Sequence, residues 1–346
     1  MRYFLLVIRL NSFLLYALCF PLYPYLCYSF KHQKLLQATV YKSTGSWYVV
    51  KTTTGETFQA RMKGIFKKDE DITSTNPIAV GDTVEIVPDD SDANAKNAMI
   101  TEIGPRKNYI VRSSPHGKNK KHIVAANMDQ AMLICTVKEP RTSQGFIDRF
   151  LVTAAAYHIP VILVFNKKDI YREKEMEKYE ELAELYGTIG YQVLLISASK
   201  EDGVDEVRAL LKDKTTLMAG HSGVGKSSLI NVLMPGLDLR TKAVSGWSGK
   251  GLHTTTSAEM YDLPFGGCLI DTPGVREFGI VDIPKPELSH YFLEMQPYIT
   301  QCQFNNCLHI NEPGCAVKVA VEEGHIDVDR YVSYATILET IQEEQY

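Results

Sequence analysis

The run Gly220-His221-Ser222-Gly223-Val224-Gly225-Lys226-Ser227 restricts the fold of this 346-residue chain more than any other, because it meets G-x-x-x-x-G-K-[ST] at every required position. It follows the apolar stretch Thr216-Leu217-Met218-Ala219 and opens a helical run from Ser228 to Leu233. Strand, glycine turn and helix N-terminus in that order make an anion site. Successive backbone N–H groups turn inward where the helix dipole already favours negative charge. Lys226 is placed to reach the β- and γ-phosphates of a nucleotide, and the Ser227 hydroxyl to bind Mg²⁺.

A phosphate loop does not choose its base. Asn166-Lys167-Lys168-Asp169 follows the apolar strand Val161 to Phe165. A carboxylate there accepts two hydrogen bonds, from guanine N1–H and the 2-amino group. Adenine lacks both donors on that edge and leaves the carboxylate unpaired, so the motif points to GTP and GDP rather than ATP. Asn166 can brace the loop, and the stem of Lys167 can lie over the base plane. Ser197-Ala198, at the end of the strand Val193 to Ile196, is expected to offer a backbone N–H to guanine O6.

Asp271-Thr272-Pro273-Gly274 ends the strand after the phosphate loop, with Asp271 expected to hold Mg²⁺ through water and the Gly274 N–H to sense the γ-phosphate. Between them, His253-Thr254-Thr255-Thr256 offers three hydroxyls. One completes the Mg²⁺ shell; Thr255 is favoured, although spacing does not separate it from its neighbours. Val275 stands where many GTPases carry the glutamine that positions the attacking water. His253 is then the best internal substitute, set against a structural or rRNA-contacting role for the same side chain.

These motifs sit in alternating strands and helices. Ala131 to Val137 is a continuous apolar run, as in a strand buried on both faces, and Phe146 to Tyr157 and Lys174 to Gly187 read as helices. The alternation predicts a doubly wound α/β sheet. The order is base reader, phosphate loop, then Mg²⁺ loop, whereas a standard GTPase begins with the phosphate loop. Circular permutation of this kind is tolerated because all these loops leave the carboxyl ends of strands.

Ahead of the sheet, β-rich segments at Ala38 to Tyr41, Trp47 to Lys51, Thr57 to Arg61, Asp82 to Val87 and Ala98 to Ile103 predict a small barrel. Arg61, Lys63, Lys67 and Lys68 are either a solvated face or an RNA-binding one. From Arg106 to His122 there are six lysines and arginines in seventeen residues and no acid, which reads as a flexible linker or a phosphate-contacting arm. The net charge of −4 argues against indiscriminate coating of nucleic acid but not against a local basic surface. Leu10 to Phe30 carries no charge, yet Pro21, Pro24 and the tyrosines argue against a membrane span or signal peptide. Residues 1–35 are expected to be a mis-assigned start or an unstructured extension.

The cysteine count of seven is odd, and three crowd near the C-terminus as Cys302-x₄-Cys307-x-His309-x₅-Cys315. Three thiolates and one imidazole make a closed tetrahedral Zn²⁺ shell, whereas a disulfide framework does not fit this pattern. Residues 284–346 carry little apolar content, so the metal would knit them together. Asp327 to Glu344 reads as an amphipathic helix with Val328, Val332, Ala335, Leu338 and Ile341 on one side.

In combination these motifs, with Thr44-Gly45-Ser46-Trp47 and Gly220 to Ser228, closely resemble the small ribosomal subunit biogenesis GTPases RsgA, also called YjeQ or YloQ. The resemblance spans about residues 36–346. It implies an OB-fold at 36–105, a basic linker at 106–125, a permuted GTPase domain at 126–283 and a zinc-binding domain at 284–346. It also implies GTP hydrolysis stimulated by the 30S subunit, contact with 16S rRNA and a role in late subunit maturation. Val275 is the family's expected hydrophobic replacement for glutamine, which favours His253 as the catalytic candidate. A cytoplasmic monomer is expected, with no membrane partner. The competing readings are a non-enzymatic RNA-binding adaptor, which the intact Lys226, Ser227 and Asp271 oppose, and a P-loop ATPase or kinase, which Asp169 opposes.

Overall fold

Alternating burial along five short strands builds the first module of the computed structural model, which describes residues 35–62, 77–89, 96–113, 121–237, 258–272 and 283–341. The strands are β1 (Leu36–Ser43), β2 (Tyr48–Thr52), β3 (Thr57–Met62), β4 (Thr83–Asp89) and β5 (Asn97–Ile103). Ala38, Val40, Val50, Phe58, Ala60, Val84, Ile86, Ala98 and Ile100 point inward and form one core. β1 pairs with both β2 and β4, and β3 pairs with β5 in parallel, which closes the sheet into the predicted OB-type barrel.

The expected flexible linker is a hairpin instead. β6 (Tyr109–Ser113) pairs antiparallel with β7 (Lys121–Ala126), and Ile110, Val124 and Ala125 are buried in the next core. Its first two cations are spent internally. Arg106 holds the fully buried Asp82 through two 2.7 Å hydrogen bonds, and Lys107 pairs with Asp129 at 2.9 Å. Charge dominated the reading of this stretch, but its apolar residues decide its structure.

Six strands then form the larger sheet, in the order β10-β9-β8-β11-β13-β12. They are β8 (Gln130–Cys135), β9 (Val161–Phe165), β10 (Gln192–Leu195), β11 (Thr215–Ala219), β12 (Glu259–Asp262) and β13 (Cys268–Asp271). All run parallel except β12, which is antiparallel to β13. Every residue of β8 and β9 is buried, because helices cover both faces. Residues of α1 (Gln144–Ala156) and α2 (Glu173–Ile189) pack in one core, and those of α3 (Val204–Leu211) and α4 (Lys226–Leu233) in the other. The chain runs outward from β8 through β9 to β10, then returns to the other side of β8 at β11. That reversal is the switch point where doubly wound sheets bind ligands. At its far edge β12 pairs with β1, joining barrel and sheet.

The C-terminal module holds α5 (Gln296–Ile299), α6 (Ala316–Glu322) and α7 (Val328–Thr340). Its core of Leu288, Phe292, Met295, Val317, Ala320, Tyr334, Ile337 and others is completed by Val152 from α1, which makes up for its modest apolar content. The predicted side of α7 holds only toward its C-terminal end, where Leu338 is buried and Ile341 packs against the core. Val328 and Val332 are 59% and 54% exposed, while Arg330, Tyr334, Ile337 and Leu338 face inward. The side chains that overturn the apolar count are polar ones with buried partners. The Arg330 guanidinium, fully buried, donates to Asp148 of α1 at 2.6 Å and to Glu294 at 2.6 and 3.1 Å, and the Tyr334 hydroxyl donates to the Leu308 carbonyl at 2.7 Å. Burial alone would lower the Arg330 pKa, but the two carboxylates override it and keep the guanidinium charged.

No helix among the described residues is long and apolar enough to cross a membrane. The expectations for residues 1–34, Lys63, Lys67 and Lys68 lie outside the described residues.

Arg330→Ala strands two buried carboxylates and is expected to cost roughly 3–5 kcal/mol in urea unfolding. Val332→Ser, on the exposed side of the same helix, should stay within about 0.5 kcal/mol of the wild type. Equal losses for the two would show that the buried side of α7 has been misassigned.

Candidate functional site

The glycines of the phosphate loop are dictated by what surrounds them. The loop joins β11 to α4, and Gly225 takes a φ of +99° where a Cβ would lie 2.2 Å from the Asn166 side-chain nitrogen. Gly220, at φ +141°, would drive a Cβ to within 2.4 Å of the Ile134 carbonyl. At both places backbone must approach its neighbour more closely than an L side chain permits.

Lys226, at the first position of α4, donates to the carbonyls of Gly220 and His221, the latter at 2.8 Å. Burial lowers its pKa, and the nearby Asp271 pulls it back up. Asp271 ends β13; burial pushes its carboxyl up, opposed by Lys226, and its Oδ1 is buried without a hydrogen-bond partner. An unpaired carboxylate oxygen beside the lysine of this loop fits the divalent ion that a nucleoside triphosphate brings. Ser227 and Ser228 open α4, Ser222 and Gly223 are exposed on the loop, and Val224 is buried beneath it.

Asn166 joins the base-reading segment to this loop. Its amide donates to the Val224 carbonyl at 2.9 Å, and its Oδ1 accepts from the Ala198 N–H at 2.9 Å. Lys167, in the left-handed region at φ +70°, donates to the Glu139 carbonyl, and Lys168 pairs with Asp202 at 2.7 Å. Asp169 Oδ1 accepts from the Ser197 hydroxyl at 2.5 Å, and that bond is the main reason its carboxyl lies below the usual range. It is therefore an ionised acceptor. Ser197 and Ala198, expected to offer a backbone N–H to guanine O6, follow β10 beside this loop. The Ala198 N–H is engaged by Asn166 Oδ1 and the Ser197 N–H by the Asp202 carbonyl, so the pair braces the loop and orients Asp169.

The motifs did not reveal Tyr171. Its hydroxyl donates to the Asn166 carbonyl and accepts from the Val137 N–H, both at 2.8 Å, tying the base-reading turn to the end of β8. Burial pushes its pKa up to about 12, so it stays a donor. Its position five residues after Asn166 is the only sequence signal, and no spacing rule singles it out. His253, Thr255, Gly274 and Val275 lie outside the described residues.

Cys302, Cys307, His309 and Cys315 converge, with their ligand atoms all within 4.8 Å of one another. His309 Nδ1 is 3.5 and 3.4 Å from the sulfurs of Cys302 and Cys315. Burial pushes the Cys307 thiol up to about 12 and raises Cys315 as well, so thiolates there require a cation among them. The donor set is that of a metal site. Glu312, also missed in the sequence, shapes the loop carrying His309 by accepting backbone N–H bonds from Leu308, Ile310 and Asn311 at 2.8, 3.0 and 3.0 Å. The Tyr331 hydroxyl holds the His309 carbonyl at 2.6 Å.

Known proteins resemble this chain in sequence and in fold. Residues 103–281 match the RsgA GTPase family and residues 37–95 the RsgA N-terminal domain. A small ribosomal subunit biogenesis GTPase RsgA of Bacteroides fragilis is 48% identical over 311 residues, covering 90% of this chain and 99% of that protein. Its namesake in Flavobacterium psychrophilum is 50% identical over 300 residues, covering 87% and 91%. The crystal structure of YjeQ from Thermotoga maritima superposes with a TM-score of 0.72 at 36% identity over 88% of this chain and 98% of that one. That of YloQ, a circularly permuted GTPase, gives 0.68 at 30% identity over 92% and 99%. The chain belongs to the RsgA family of circularly permuted GTPases.

Proposed function

We propose that this GTPase hydrolyses GTP in the late maturation of the small ribosomal subunit, binding 16S rRNA and accelerated by the 30S particle. The observation that carries this reading is the Asn166 amide, which puts base reader and phosphate loop in one site although they are 58 residues apart in sequence. Asp169 reads guanine, with Ser197 orienting it and Lys167 flanking the base. Lys226 takes the β- and γ-phosphates within the Gly220–Ser228 turn. Ser227, Thr255 and Asp271 hold Mg²⁺, and the Gly274 N–H senses the γ-phosphate. Mg²⁺ held by these residues would neutralise charge on the phosphates.

With Val275 in the glutamine position, His253 or the ribosomal particle positions the attacking water. The barrel, where Arg61 stacks 3.6 Å over the half-exposed Trp47, is a surface suited to rRNA. Cys302, Cys307, His309 and Cys315 hold one structural Zn²⁺. The functional units follow the boundaries 36–105, 126–283 and 284–346, with the 106–125 hairpin packed on the second, and the protein works as a cytoplasmic monomer.

Steady-state GTP hydrolysis should rise by roughly an order of magnitude or more when purified 30S subunits are added, since completing such a site in trans is a large effect. An unchanged rate would defeat the ribosomal reading, and equal turnover of ATP would defeat the guanine one. Asp169→Asn should lower GTP affinity roughly 100-fold by removing two charge-assisted acceptor bonds, and an amide N–H there should admit the 2-oxo group of xanthosine triphosphate instead. Elemental analysis should find one zinc per chain. Stripping it with a strong chelator should lower the melting temperature and loosen the C-terminal module; an identical melt in chelator would rule out a structural ion.

A further inference from the structure

One contact of the phosphate loop comes from a helix flank and not from a strand end. The His221 ring lies against Phe146, with ring centres 3.8 Å apart and planes inclined at 32°. Phe146 is in the first turn of α1, where its N–H also bonds the Ser143 side chain that caps the helix. Two residues further on, the buried Asp148 receives Arg330 at 2.6 Å and the Tyr186 hydroxyl at 2.7 Å. The same helix sends Ile147, Phe150, Leu151 and Ala154 into the core beneath the sheet and Val152 into the C-terminal core. A helix wedged between two close-packed cores cannot slide or turn without opening a void in one of them. The place of the Phe146 ring is therefore set from both sides.

We infer that Phe146 is a positioning residue for the phosphate loop, and that the C-terminal module fixes its place through the Asp148–Arg330–Glu294 cluster. The inference rests on reading Gly220–Ser227 as the nucleotide's phosphate site. Phe146 touches no reacting atom; it acts through His221, limiting where the first half of the loop lies. By thermodynamic reciprocity, a nucleotide that favours the ordered loop must also favour α7 docked on α1.

The test uses the full chain and its Phe146→Leu, Phe146→Tyr and Glu294→Gln variants, with a fluorescent GDP analogue and GTP turnover as readouts. Phe146→Leu keeps apolar bulk and loses the ring. It should weaken GDP binding and raise KM for GTP about threefold to tenfold with kcat changed much less, as expected for losing one ring stack. Phe146→Tyr should restore both. Glu294→Gln, milder than any change at Arg330, should weaken GDP binding in the same direction while the chain stays folded by circular dichroism. Saturating GDP should slow hydrogen exchange in α7 of the wild type, and less so in Phe146→Leu. Wild-type affinity in Phe146→Leu, or in a folded but less heat-stable Glu294→Gln, would overturn the inference. So would nucleotide binding that leaves α7 exchange unchanged. A wild-type chain that binds no guanine nucleotide would instead overturn the proposed function, and the inference with it.

Discussion

The buried side-chain amide of Asn166, 2% exposed, is the joint on which the nucleotide site depends. It has a donor and an acceptor to satisfy away from water, and leaving either unpaired costs about 1–3 kcal/mol. Val224 of the phosphate loop and Ala198 of the β10 loop satisfy them, so three separate connections close around one group. Gly225 follows from the same joint, because a Cβ there would collide with the amide. Chain order is immaterial to this arrangement. The loops leave the carboxyl ends of neighbouring parallel strands, and the sheet holds those ends together whichever strand comes first.

α1 extends that logic to the C-terminal module. A surface helix has one apolar face, but α1 is buried both against the sheet and against residues of the last module. Between the two modules lies an ionic cluster with Arg330 and Asp148 fully buried. Such a cluster need not make the protein more stable than apolar residues of the same shape would. It does penalise every misdocked arrangement, since each leaves a charge unpaired in a dry interior. Specificity of docking is thus the natural use of these residues, and the valines on the outer side of α7 contribute nothing to it.

Where a motif fixes backbone chemistry, the sequence was legible. The phosphate loop, the strand-end position of the base reader, the strand ending in Asp271 and the convergence of Cys302, Cys307, His309 and Cys315 all fall where spacing placed them. Legibility fails where a side chain's role depends on a partner far along the chain. No sequence pattern singles out Arg330, whose partner Asp148 lies 182 residues earlier. The 106–125 stretch reads as a linker because its lysines and arginines are offset by no acid, yet Ile110 and Ala125 pack in a core and Arg106 neutralises Asp82. The Ala198 N–H is a subtler case. Spacing puts it at the end of β10, but its bond to Asn166 Oδ1 depends on where the Asn166 side chain lies.

The two flanking modules are attached to the nucleotide site by links of different physical character. The barrel joins in part through the edge strand β12, by the Lys42–Glu259 pair at 3.1 Å and the Tyr41 hydroxyl on Asp262 at 2.6 Å, both partly open to water. It joins in part through Val80, buried in the sheet core, and the Asp82–Arg106 pair. Glu259 lies opposite Asp271 in the β12–β13 ladder, so the barrel is anchored one strand away from the expected Mg²⁺ ligand. Half-exposed ion pairs contribute about 0–1 kcal/mol each and weaken as salt rises. The C-terminal module joins through apolar packing and a desolvated ion cluster, which salt scarcely reaches. Of the barrel's links, the outer pairs of Lys42 and Lys51 are the ones a polyanion would weaken, whereas Val80 in the sheet core and the Asp82–Arg106 pair, its carboxylate buried, are sheltered like the C-terminal cluster. The C-terminal module has no such competitor, and its hold on α1 persists whatever the barrel touches.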